Sequence, residues 1–243
     1  MTNSIIRPNN EHIEYSATIF HERRGSMKKS LSPIIFLIIL VLAGVTIYAF
    51  KPSKGERRAL SGLEEPVQSK LKKEDGTGTS FEKAGYDVTV NYLYKYEVDA
   101  LVLSTKDYKG LGIQDSLSPK DIGVAWGKVA ENNLAIDFQW SQSNRFLNWY
   151  VDDINVLAPV GGPDGVTQSC SNNHIIPADD NVKSQLKKVK MGDHVQIEGY
   201  LISLNGVDSK GHTFTWNSST SRTDSGDGAC EVIYATKISV VGN

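Results

Sequence analysis

Twenty consecutive residues, 31–50, carry no charged side chain, and this run constrains the chain more than any other feature of it. A helix of that length spans roughly 30 Å, the thickness of the hydrocarbon core of a bilayer. Pro33 sits near the entry, where a proline costs a helix little. Tyr48 and Phe50 fall where an interfacial aromatic belt belongs. A buried core helix usually keeps a polar face, and this run has none. It reads as one transmembrane helix. The small residues that signal cleavage requires in an Ala-x-Ala arrangement are not supplied by Ile47 and Ala49 or by Leu42 and Gly44. The helix is therefore expected to stay as an uncleaved signal-anchor.

The anchor divides the chain. Residues 1–30 form a polar tail, although Met27-Lys28-Lys29 is also how a bacterial signal sequence begins, so a start at Met27 is the alternative. Residues 51–80, with Pro66 and the 75–79 segment Asp-Gly-Thr-Gly-Thr, read as a flexible linker. Residues 81–243 are the globular domain. Arg23, Arg24, Lys28 and Lys29 on one flank balance Lys51, Lys54, Arg57 and Arg58 on the other, so flanking charge alone does not orient the helix. The short tail and the two cysteines favour a domain outside the bacterial inner (cytoplasmic) membrane.

Charge is distributed unevenly. The formal net charge of the whole chain is −2. Beyond residue 73, however, 14 basic side chains face 22 acidic ones, a net of −8. Phosphate neutralisation dominates nucleic-acid affinity, so nucleic acid is not expected as a partner. Hydrophobic residues make up 40% and charged residues 22%, an ordinary globular balance.

From residue 88 the pattern has period two. Val88, Val90, Tyr92, Tyr94, Tyr96 and Val98 alternate with mostly polar residues, which predicts a long strand. Ser118 followed by Pro119 reads as a helix start, with the helix running to Val129. Ile136, Phe138 and Trp140 alternate as a short strand. Val182, Leu186 and Val189 mark the buried stripe of a helix over 178–190, with Asp179 and Asp180 at its positive end. Strands follow at 194–202, interrupted by Gly199, then at 213–216 and 231–241. The fold class expected is α+β, mainly β, as a small coiled barrel resembling the oligonucleotide/oligosaccharide-binding (OB) barrel, with short helices.

Several residues are candidates for chemistry. Cys170 and Cys230 read first as a disulfide closing about 60 residues, worth roughly 4 kcal/mol in the chain-entropy model. Buried free thiols, or a metal site joining Cys170, His174 and Cys230, are the alternatives. No metal and no cofactor are expected. Between two strands lies a polar segment, 217–231, in which Arg222, with Ser218 and Ser219, could clamp a ligand. Trp149, with Trp140, Phe146 and Tyr150 near Arg145, offers a stacking platform or a core edge. A hydrolytic arrangement would use His174 as general base with Asp224 or Glu231 as its partner. Walker, dinucleotide, His-Glu-x-x-His and Gly-x-Ser-x-Gly motifs are absent from the sequence.

Segments 171–177, 192–199 and 218–231 resemble parts of an uncharacterised group of bacterial membrane-anchored proteins, with the similarity spanning roughly residues 85–240. The resemblance implies a bacterial envelope setting and no particular activity. The function expected is that of a single-pass anchored protein whose outer domain binds an envelope protein or a cell-wall component. The alternative is an envelope hydrolase of phosphoesters or glycans using His174, Arg222, Asp224 and Glu231.

Overall fold

The computed structural model describes residues 55–224 and 228–242. The apolar run 31–50, and with it the expected transmembrane helix, lies outside the described residues. Among the described residues no helix is long and apolar enough to cross a membrane.

The fold is mainly β, organised by two long strands, β3 (Tyr86–Asp107) and β8 (His194–Asp208). Twenty-two residues of extended chain would reach about 70 Å if straight. Instead β3 carries register shifts at Tyr92/Tyr94 against β8 and at Val102/Ser104 against its other neighbour, and so can serve several partners along its length. Its first half pairs with β2 (Gly78–Lys83) and its middle with β1 (Val67–Ser69). Its last part pairs with β4 (Lys120–Ala125). β4 continues antiparallel to β7 (Cys170–Pro177), which lies parallel to β10 (Glu231–Val241). β10 returns antiparallel to β8, and β8 pairs with β3. The order β3-β4-β7-β10-β8 thus closes on itself as a ring. β9 (Thr213–Asn217) extends β8 beyond the ring.

Alternation along these strands sorts side chains to two faces. One cluster gathers Tyr96, Val98, Ile122, Val124, Ile175, Ile197, Leu201 and Ile233, all nearly inaccessible. Two helices, α3 (Gly162–Gln168) and α4 (Asp180–Lys188), pack Val166 and Val182 with Leu186 into the same cluster, and α4 begins with a side-chain cap. Its N-cap Asp179 accepts a 2.8 Å hydrogen bond from the Val182 amide. On the other face Val88, Val90, Ile176, Ile202, Leu204 and Val232 form a second, smaller cluster, edged by Tyr92, Phe214 and Trp216. Gly199 stands opposite Ala235, where β10 bulges between Ala235 and Lys237. A Cβ at this glycine would lie 2.2 Å from the Tyr234 carbonyl oxygen, so the close approach requires it.

Three expectations are corrected. The helix expected over 118–129 is a fully buried strand, β4, followed by a short helix, α2 (Gly127–Asn132). Burial on both faces removes the polar alternation that marks a strand, which leaves Ser118-Pro119, with its helix-start chemistry, as the only local signal. Residues 136–140 form no strand and lead into a small hairpin, β5 (Ser141–Ser143) with β6 (Phe146–Asn148). Residues 55–80, expected as a flexible linker, are bound to the domain. Leu63 is buried, the Leu60 amide donates to the Ala130 carbonyl, and the Arg57 guanidinium donates to the Ile136 carbonyl.

Candidate functional site

Register places the first pair of site groups. Asp121 on β4 stands directly opposite His174 on β7, and His174 Nδ1 lies 3.0 Å from Asp121 Oδ1. Asp121 is wholly buried and His174 is 4% exposed. A carboxylate at such a depth needs a cation, and the β5–β6 hairpin supplies it. Ser143 pairs with Phe146, so the turn consists of Asn144 and Arg145 alone, with φ of +49° and +65°. Two-residue hairpin loops favour positive φ at both positions, which Asn tolerates and Arg resists. The strained backbone carries the guanidinium onto this face of the sheet. Arg145 Nη1 donates to Asp121 Oδ1 at 2.9 Å, and Nη2 donates to Asp115 Oδ1 at 2.5 Å and to the Ser118 carbonyl at 3.1 Å. Asp115 belongs to the short helix α1 (Ile113–Leu117).

Aromatic rings enclose the guanidinium. Its carbon lies 3.8 Å from the Tyr108 ring centre and 5.3 Å from that of Trp216. Trp216 also lies against the His174 ring, 4.8 Å between centres. Burial, and then the negative charge of Asp121, push the Tyr108 hydroxyl up to about 12. The hairpin is fixed from behind as well. Asn172 of β7 donates to the Arg145 carbonyl at 2.7 Å and accepts from Gln142 at 2.6 Å. Gly123 leaves the space that Leu147 occupies, since a Cβ there would meet Leu147 Cδ1 at 2.6 Å.

A pocket of about 390 Å³ opens in front of this charged cluster, with Arg145 and His174 in its lining. Phe146 and Trp216 supply aromatic walls, and Gln114, Asn144 and Asn217 supply side-chain amides. Among the described residues no hydrogen bond engages those three amides, so all their donors and acceptors are open.

The residues singled out in the sequence divide between this pocket and a second place. Glu231 pairs in register with Asn173 on one face, whereas His174 pairs with Val232 on the other. The fold therefore groups Arg222, Asp224 and Glu231 with one another and sets His174 apart with Asp121. The Arg222 guanidinium bonds Glu231 and donates to the Tyr96 hydroxyl at 2.6 Å. Burial pushes the Glu231 carboxyl up to about 7, a rise that Arg222 partly offsets. Asp224 accepts from Ser219 Oγ at 2.5 Å. Ser218 Oγ accepts from the Val232 amide and donates to the Ser219 carbonyl. These hydroxyls shape the segment that carries them. The space beside Arg222, Asp224 and Glu231 is about 30 Å³, room for a water rather than a substrate.

Cys170 and Cys230 are not joined; both are free thiols. Cys170 lies on β7, and Cys230 immediately precedes the Glu231–Asn173 pair, so the two are offset by two residues along neighbouring parallel strands. Bridging them would require the strands to slide. Burial pushes Cys170 up to about 12 and Cys230 up to about 11, which keeps both as unreactive thiols. Trp149 packs edge-on against Phe138, 6.4 Å between ring centres, at the rim of the main cluster. Among the described residues no group of side chains is arranged to hold a metal ion.

Sequence reading passed over Asp121, Asp115, Gln114 and Trp216 as site residues. It met Arg145 only beside an aromatic run. The signal that was present was Asn144-Arg145 between two short polar and apolar segments, a two-residue hairpin with Asn at its first turn position. Comparison with family models, with curated proteins and with solved structures finds no match for this chain.

Proposed function

We propose that the chain is a membrane-anchored envelope protein, single-pass through residues 31–50, whose outer domain is an OB-type barrel acting as a binding module. The observation that carries this reading is the pocket before Arg145 and His174. Open amides and aromatic walls stand there on a base of buried charge, in which Arg145, on a strained turn, pairs with Asp121 and Asp115. Strain held in place by so many partners is the mark of a preorganised site. The ring order, with its one parallel pair β7–β10 and with α4 between β7 and β8, supports the OB-type assignment. In that fold the faces of the second and third strands carry ligand, and here those strands are β4 and β7. The uncharged run and the net negative domain support the envelope setting and an occupant other than nucleic acid.

The test places a photo-cross-linking phenylalanine derivative at position 146 of the full chain in intact cells, with position 210 as an exposed control. The expected result is an adduct with an envelope component from position 146 only. Equal adducts from both positions, or none from position 146, would contradict the reading.

A further inference from the structure

We propose that the pocket takes an uncharged sugar ring of a neutral glycan, an assignment that rests on reading the pocket as the ligand site. The electrostatics exclude the commoner guests first. Arg145 is the only Arg or Lys among the described lining residues, and three of its donors already go to Asp121, Asp115 and the Ser118 carbonyl. A phosphate or carboxylate would have to take that cation from two carboxylates, one of them fully buried, and would leave them unpaired. No Asp or Glu is among the described lining residues, so a cationic guest finds no exposed carboxylate either.

The remaining groups match hydroxyls. Each open amide of Gln114, Asn144 and Asn217 presents a donor and an acceptor, and a sugar hydroxyl is itself both. The three come from separate elements, α1, the hairpin turn and the end of β9. A guest would therefore draw on three parts of the fold. Trp216 and Phe146 are aromatic lining groups, and the negative quadrupole of an aromatic ring attracts the weakly positive C–H face of a pyranose. A volume of about 390 Å³ falls within the range of small-ligand sites. Two exposed carboxylates flanking the bond, which glycoside hydrolysis requires, are not among the described lining groups, so the inference is of binding and not of cleavage.

The experiment titrates the full chain in lipid nanodiscs by calorimetry with N,N′,N″-triacetylchitotriose and cellotriose as neutral probes. Trigalacturonate and AMP serve as anionic ones. Saturable binding of a neutral trisaccharide is expected, with neither anion competing. Gln114→Ala and Asn217→Ala should each weaken it about fivefold, the loss of one net hydrogen bond. Trp216→Ala should weaken it about tenfold or more. Because Trp216 also supports Arg145, the two amide variants keep the test independent of folding. Tighter binding of an anion, or neutral binding unaffected by all three variants, would overturn the glycan assignment. Silence with all four probes beside a position-146 adduct in cells would overturn the assignment and leave the pocket standing. Silence in both experiments would overturn the pocket reading itself.

Discussion

Arg145 is the guanidinium that pairs with the fully buried carboxylate of Asp121. Arg145→Met keeps the bulk of the side chain and removes the guanidinium, leaving a fully buried carboxylate without its cation. We expect a loss of about 3–5 kcal/mol in urea unfolding, as for other broken buried pairs. Asn144→Gly, one position earlier, relieves a left-handed backbone and should be neutral or stabilise by up to ~1 kcal/mol. A larger loss from Asn144→Gly than from Arg145→Met would refute the strain argument. Glu231 makes a pH prediction. Its folded carboxyl titrates near 7 against an ordinary 4.5, so between those values the folded state holds a proton that the unfolded chain has released. Its contribution to stability therefore falls as pH rises through that window and is flat above it. A proton also supplies a donor where Glu231 Oε2 and its register neighbour's Asn173 Oδ1, both buried acceptors, have no partner. The difference in urea midpoint between the wild type and Glu231→Gln should change between pH 4.5 and 7 and hold steady beyond. A constant difference across that range would show that Glu231 ionises as an exposed carboxyl does.

At the scale of elements, the β5–β6 hairpin is the part that turns a sheet face into a pocket. Gly123 lets it lie close, so Gly123→Val should push Leu147, and the turn with it, off β4. Overpacking of this kind costs about 1–3 kcal/mol. The informative readout is ligand-side: cross-linking from position 146 should be lost in a protein that remains folded by circular dichroism. An undiminished adduct would mean that the hairpin's seat on β4 is immaterial. The same elements explain what the sequence could disclose. The 182, 186, 189 stripe and Asp179 were legible because one face of α4 meets the core and the other meets water. Alternation at 88–98 was legible because most of the intervening side chains meet water, although the register shift at Tyr92/Tyr94 sends Val88 and Val90 to one cluster and Tyr96 and Val98 to the other. β4 was not, because a strand buried on both faces has no polar face to alternate with. The two-residue hairpin escaped because each of its strands is only three residues long.

Over the whole molecule, closure of the ring through β3 and β8 decides which singled-out residues can meet. His174, Arg222, Asp224 and Glu231 lie within 60 residues of sequence, and the alternative, hydrolytic reading gives them a common task. The parallel register of β7 and β10 sends His174 to one face and Glu231 to the other. A one-residue parity of this kind cannot be read before the strand partners are known. Asp121, which His174 does meet, and Arg145, which pairs with that carboxylate, come from parts of the chain 53 and 29 positions before His174, and no local pattern links them. We propose that function belongs to the Arg145–His174–Trp216 face and not to the Arg222–Glu231 segment. The most direct test compares the position-146 photo-adduct in intact cells between two variants of the full chain, Trp216→Ala and Glu231→Gln. Trp216→Ala should abolish the adduct, and Glu231→Gln should preserve it. The reverse pattern, adduct kept without Trp216 and lost with Gln at 231, would contradict the proposal.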